Sequence, residues 1–362
     1  MGMGLPKLEL SFKAAAETAA ARFKRGIVAV MVREAKNPGV TVLTSAKQIP
    51  TALGAENKAY VERAFVGSDR GVPAKVVLVV IGTQAGEGAP LEDGLALLAH
   101  YSLDYLAAPP DVTEAECAAI KSWVVKQREG YGTVKAVLPN TAADSMGMVN
   151  FTTGAIQAGG ELYEAADYCS RIAGILAGIP TEGSATYAAL PEVTDVEALG
   201  TEEQEKAIDR GELILIHDGR QAKVARAVNS LSKLPAEGKA DWRKIKIVEG
   251  MDLITYFARS TIEDNYCGRL NNTYQNKLNL VVAMRQFLQT LEGRGVLQEG
   301  SSFCDIDVTA QRAYLEQELG LDTSDLEDQE VREHDTGSWV FLSYGGRLVD
   351  AMEDFRASFT NL

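Results

Sequence analysis

Two short runs limit what this chain can fold into more than any other feature. Ile27–Val32 (IVAVMV) and Val76–Ile81 (VVLVVI) are apolar at every position and rich in β-branched residues. A strand with one wet face alternates polar and apolar residues. A strand that is apolar on both faces must be covered on both, as in the centre of a sheet packed between helices. The segments around these runs alternate in period. Leu91–Ala99 reads as a helix and Ser102–Ala107 as a strand. Thr113–Glu129 reads as a helix with Thr113 as N-cap and Glu116 three residues on, and Val134–Leu138 as a strand ending at Pro139. Glu161–Gly178 reads as a largely apolar helix broken by Pro180. Such β/α alternation predicts an α/β layer domain. Glu212–His217, Asp218-Gly219 and Arg220–Val228 read as a hairpin, with Asp-Gly supplying the positive φ angles of a tight turn.

A loop rich in Pro, Gly and Lys, Ser232–Lys239, marks a domain boundary, and beyond it the character changes. Ile245–Asn265 and Asn276–Glu292 are long helical patterns, Cys304–Val308 a strand, and Thr309–Leu319 a helix stopped by Gly320. Trp339–Tyr344 reads as a strand, Arg347–Asp354 as a turn of helix and Phe355–Leu362 as a final strand, so this part is α+β. At the other end, Leu8, Leu10 and Phe12 share one face of the segment Lys7–Lys13, the period-2 mark of a half-buried strand. No hairpin partner adjoins it. It is either an edge strand of its own sheet or a strand donated to a neighbouring subunit. An Ala-rich stretch, Ala14–Ala21, follows. The expected organisation is therefore an N-terminal arm and connector over residues 1–25, an α/β domain over 26–232, an α+β domain over 233–354, and a C-terminal strand or short arm over 355–362.

Composition narrows the function. The chain has 362 residues, 46% of them hydrophobic and 24% charged, enough for a sizeable core without disulfide staples. A formal net charge of −14 argues against nucleic-acid binding, which requires a basic face. Cys117, Cys169, Cys267 and Cys304 are scattered without a CxxC pair, so neither a zinc site nor a disulfide framework is indicated. Met1–Pro6 has no signal-peptide pattern and no run of apolar residues is long enough to span a bilayer, so synthesis in a cytoplasm is expected, with no membrane insertion. His100, His217 and His334 lie at no metal-ligand spacing, and no GxSxG elbow occurs. The segment Gly82-Thr-Gln-Ala-Gly-Glu-Gly88 sits between a strand and a helix, where a phosphate loop would sit, but it lacks the GK[ST] ending and carries Glu87. The acidic stretch Asp322–Asp335 lacks the order of ligands of a calcium loop. These observations assign no catalytic, cofactor-binding or metal-binding residue and favour a structural protein. A nucleotide-binding α/β enzyme using Gly82–Gly88 is the alternative reading.

Several segments in order resemble the tail sheath proteins of contractile-tailed phages and prophages of Gram-positive bacteria. They are Arg25-Gly-Ile-Val-Ala-Val30, Leu103-Asp-Tyr-Leu-Ala-Ala-Pro-Pro-Asp-Val112, Lys135-Ala-Val-Leu-Pro-Asn-Thr-Ala-Ala-Asp144, Tyr168-Cys-Ser-Arg-Ile-Ala-Gly174 and Thr186-Tyr-Ala-Ala-Leu-Pro-Glu-Val193. Further on come His217-Asp-Gly219, Val228-Asn-Ser-Leu231, Glu263-Asp-Asn-Tyr266 and Val349-Asp-Ala-Met-Glu353. The resemblance implies a subunit that forms six-fold rings stacked helically around a tube of a second protein. Such a sheath contracts to drive the tube through an envelope without a nucleotide. It implies terminal arms that add strands to neighbours, here Leu8, Leu10 and Phe12 at one end and Phe355 and Phe359 at the other. It also implies baseplate and tail-terminator partners, and a place in a virion tail or in a released phage-tail-like particle such as a bacteriocin. The C-terminal half is expected nearest the tube. Arg269, Lys277 and Arg285 are the candidates to face an acidic tube, with a solvated helix face as the alternative.

Overall fold

The two apolar runs lie side by side. The computed structural model describes residues 26–360, apart from 36–37, 84–88, 131 and 234–239. The described residues open with β1 (Ile27–Arg33), β2 (Gly39–Leu43), helix α1 (Ala55–Ala64) and β3 (Lys75–Ile81). β1 and β3 pair in parallel from Ile27↔Lys75 to Arg33↔Ile81, and β2 closes that edge antiparallel to β3. Next come α2 (Ala89–Leu98), β4 (Tyr105–Ala107), α3 (Glu114–Glu129), β5 (Lys135–Pro139) and β6 (Met148–Phe151). Two short strands, β7 (Ile156–Ala158) and β8 (Glu161–Tyr163), precede α4 (Ala165–Gly178). After them come β9 (Ala189–Leu190), β10 (Val193–Asp195), α5 (Thr201–Asp209), β11 (Glu212–Leu213), β12 (Leu215–His217) and β13 (Ala222–Val224). The main sheet has seven strands in the order β11-β6-β5-β4-β1-β3-β2, and only β2 runs antiparallel.

Period 2 sorts the sheet into two cores. Val28, Val30 and Val32 face one side with Val76, Leu78 and Val80, under α1 and α4. Ala29 and Met31 face the other with Val77 and Val79, under α2 and α3. Among the described residues, 26–252 and 350–360 form one compact unit, and 253–349 form the second. The second unit holds the later turns of α6 (Ile245–Asn265), then α7 (Tyr274–Gly293), β14 (Phe303–Ile306), α8 (Val308–Gln317), α9 (Asp328–Glu333) and β15 (Leu342–Gly345). Its core gathers Leu253, Leu280, Met284, Leu288 and Ile306 around Phe257 and Phe287, whose rings stack at 3.5 Å.

Several expectations need correction. The helix expected from Glu161 begins at Ala165, because Glu161–Tyr163 pairs with β7 and the Asp167 carboxylate accepts from the backbone N–H of Glu164. The strand expected over Glu212–His217 is divided between two sheets. Glu212 and Leu213 join β6, while Leu215–His217 joins β13. The turn that follows has four residues, with Asp218 accepting from the backbone of Arg220 and Gln221 and only Gly219 at positive φ. Arg347–Asp354 forms no helix, and residues 351–360 form no strand within the described chain. The compact units divide after Asp252, inside α6, which is a separate matter from the domain boundary expected at residues 232–233. The Leu8, Leu10 and Phe12 arm lies outside the described residues.

Candidate functional site

In an open parallel sheet, ligands bind outside the carboxyl ends of the strands where the strand order reverses. Here that point lies between β1 and β4, and the chain fills it with its own groups. Arg33, at the end of β1, is buried and donates to the carboxylates of Asp111 and Glu116. Tyr60 donates its hydroxyl to the carbonyl of Ala108 at 2.5 Å. Glu116 also closes the capping box of α3: its carboxylate accepts from Thr113 N–H at 2.9 Å, and Thr113 Oγ1 accepts from Glu116 N–H. Burial alone would raise the Glu116 pKa, but the Thr113 hydrogen bond and Arg33 outweigh it and hold the carboxyl below its usual range. The glycine-bearing segment does follow β3 and precede α2, but residues 84–88 lie outside the described ones. His217 accepts from Gly219 N–H at 3.2 Å in its turn.

A second junction ties α6 to the sheet. Lys135 on β5 is 2% exposed, and its ammonium meets Asp252 Oδ2 at 2.8 Å and Glu249 Oε1 at 3.4 Å. Arg128 grips Asp252 through two hydrogen bonds of 2.7 and 3.0 Å, and Tyr105 donates to Glu249 at 2.5 Å. Two cations thus face two carboxylates, which is how buried charge is tolerated. Burial opposes the charge on Lys135, but Asp252 and Glu249 outweigh it and raise its pKa. This explains why the first turns of α6 belong with the sheet.

The third feature is a strap over residues 350–354, which returns to the first unit. Glu353 has 6% of its side chain exposed. Its Oε1 accepts from Ser184 Oγ at 2.9 Å and Thr186 Oγ1 at 2.6 Å, while Oε2 faces Lys244 Nζ at 3.4 Å and Arg226 Nε at 3.6 Å. Asp350 pairs with Lys244 and Asp354 with Arg226. Apolar residues of the same segment point outward: Met352 is 87% exposed, Phe355 79% and Phe359 91%. The usual burial preference is inverted there. This is why sequence reasoning missed the site, although Thr186 and Glu353 both lie in the segments singled out above.

In the second unit, β14 and β15 form a two-stranded antiparallel sheet running from Phe303↔Gly345 to Ile306↔Leu342. Cys304 and Ile306 bury into the core beside α7, while Phe303 is 54% exposed, and no other described strand pairs with either outer edge. The three tube-facing candidates do not form one surface. Arg269 is exposed in the loop after α6, and Arg285 is exposed on α7 with its Nε–H donated to the carbonyl of Cys304 at 2.6 Å. Lys277 is a correction, because it is only 3% exposed and its ammonium donates to Thr336 Oγ1 at 3.0 Å and the carbonyl of His334 at 3.3 Å. Burial lowers its pKa. Its charge and its place in a helical stretch made it a candidate, and the segment after α9 covers it.

Comparison with known proteins assigns the class. Residues 84–230 match the phage tail sheath protein central domain, and residues 237–360 match the phage tail sheath C-terminal domain. The chain belongs to the phage tail sheath protein family and is a structural subunit of a contractile tail sheath. It is 34% identical over 353 residues to the tail sheath protein of Clostridium phage phiCD119, across 97% of this chain and 98% of that one. A sheath tail protein of Listeria innocua shares the fold with a TM-score of 0.70 at 15% identity, over 94% of this chain and 99% of that one. The helical sheath of the anti-feeding prophage in its contracted state matches with a TM-score of 0.68 at 14% identity, over 92% and 93%. The chain is therefore a component of a virion tail or a tail-like particle. No helix among the described residues is long and apolar enough to cross a membrane.

Proposed function

We propose that copies of this chain stack as six-fold rings around a tail tube, linked by exchanged strands, and that the sheath contracts to drive the tube through a cell envelope. The observation that carries the strand exchange is the open β14–β15 sheet together with a strap whose continuation stands away from its own fold. A sheet with open edges invites pairing with another chain. In an extended strand, Phe355 and Phe359 fall on the same face, about 13 Å apart. Residues 355–362 of one copy, and Leu8, Leu10 and Phe12 of another, are the proposed additions to that sheet. The likeness to a contracted helical sheath supports this self-assembly, and the likeness to a chain of the anti-feeding prophage baseplate supports a baseplate contact. A tail-terminator contact, synthesis in the host cytoplasm and service in either a phage or a bacteriocin-like particle complete the reading. Arg269 and Arg285 are its tube-facing candidates.

The reading requires no catalytic step. Subunits move as bodies while the arm joints flex, and the energy comes from improved contacts in the contracted state. Deleting residues 1–13 tests the exchange. The expected product is a folded, soluble subunit that gives no tubes by negative-stain electron microscopy, under conditions where the full chain gives hollow, striated ones. Long tubes from the truncated chain would overturn strand donation by this arm.

A further inference from the structure

We infer that the pocket formed by Ser184, Thr186, Arg226 and Lys244 is the mechanical root of the C-terminal arm, with Glu353 as the side chain that locks the arm into it. This rests on the strand-exchange reading and adds to it where the arm is held. The pocket is held together by hydrogen bonds that do not involve the strap. Thr186 N–H donates to Ser184 Oγ, Ala227 N–H donates to Thr186 Oγ1, and Arg70 donates to the carbonyls of Ser184 and Thr186. Tyr187, the next residue, holds φ at +60°, a conformation that a non-glycine residue adopts only when its surroundings enforce it. The loop is thus rigid where it meets the carboxylate.

The occupant is equally specific. Of the strap's three carboxylates only that of Glu353 is nearly covered, while Met352 before it and Phe355 after it are largely exposed. A single buried carboxylate with two hydroxyl donors and two facing cations resists removal, because withdrawing it takes the carboxylate acceptor from both hydroxyls and one of two carboxylate partners from each cation. Asp350 and Asp354 secure the strap on either side through the same two cations. An arm that bonds a second copy transmits force only if its near end is fixed. A fixed root also holds Phe355 and Phe359 within reach of one partner and lowers the ordering cost of pairing.

The test uses the full chain, its Glu353→Ala and Glu353→Gln variants, and a chain ending at Asp354. Backbone 15N relaxation of residues 350–354 in the unassembled subunit reads the lock, and the critical concentration for tube formation reads the arm. In Glu353→Ala, the order of 350–354 should fall to that of an unstructured segment while the rest of the chain is unchanged. Its critical concentration should rise about tenfold or more, the loss expected when the arm's effective concentration at its partner falls. Glu353→Gln keeps an acceptor for the hydroxyls but not the charge, and should fall between. Unchanged order in both variants would overturn the lock. A freely moving strap with wild-type tube formation would overturn its role in assembly while leaving strand exchange intact. Wild-type tubes from the chain ending at Asp354 would instead overturn the C-terminal arm itself, and this inference with it.

Discussion

Asp104 accepts the backbone N–H of Ile27 at 2.8 Å, Asp144 accepts those of Ser232 and Lys233, and Asn229 bonds the backbone of Trp242 and Leu231. Arg171, almost fully buried, reaches Glu192 at 2.6 Å. Asp104, Asp144, Asn229 and Arg171 all lie in segments that carried the family resemblance, so at the residue scale those segments are hydrogen-bonded junctions, two of them between distant parts of the chain. Their residue types were legible in the sequence, but their partners were not: those of Asp104 and Asp144 lie more than 70 residues away, and such pairs leave no periodic trace. Glu116 supports a prediction at this scale. Its folded pKa is depressed, so its contribution is present above the unfolded carboxylate value and is lost as pH falls through the folded one. Glu116→Gln should cost about 1–3 kcal/mol at pH 7 by urea denaturation. The gap from wild type should narrow toward pH 3.

At the scale of elements, the central strands were readable because a strand covered on both faces must be apolar throughout, as β1 and β3 are. The long helices were readable by period, and α6 spans the residues expected of it. The strands β7 to β10 were not, because strands of two or three residues are set by what they pair with. Helix α4 shows a conflict between levels. Alanine at Gly174 would favour the isolated helix by about 1 kcal/mol. Yet a Cβ there would meet the carbonyl oxygen of Ala64 on α1 at 2.2 Å. Gly174→Ala should therefore destabilise the subunit by about 1–3 kcal/mol, measured by thermal or urea unfolding. In the second unit, Phe287→Ala removes one half of the stacked pair from a fully buried position. It should cost about 3–5 kcal/mol in the same assay.

At the scale of the whole molecule, each subunit carries a net charge of −14, so copies repel one another before they bond. Added salt shortens the range of that repulsion to about 8 Å at physiological strength. The critical concentration for tube formation should fall as sodium chloride rises from about 0.05 to 0.5 M. A rise instead would mean that ion pairs between subunits outweigh the general repulsion. The path of the chain has a separate consequence. Because residues 350–360 rejoin the first unit, residues 253–349 are an insertion within it, and the pocket around Ser184 and Thr186 is completed only by sequence that lies beyond the insertion. During synthesis the ribosome must traverse the whole insertion before Glu353 emerges. A product broken off within the insertion carries every strand of the seven-stranded sheet yet has nothing to lock into that pocket. If the lock roots the arm, such truncated chains should be left out of a growing particle, and the topology then checks that a chain is finished.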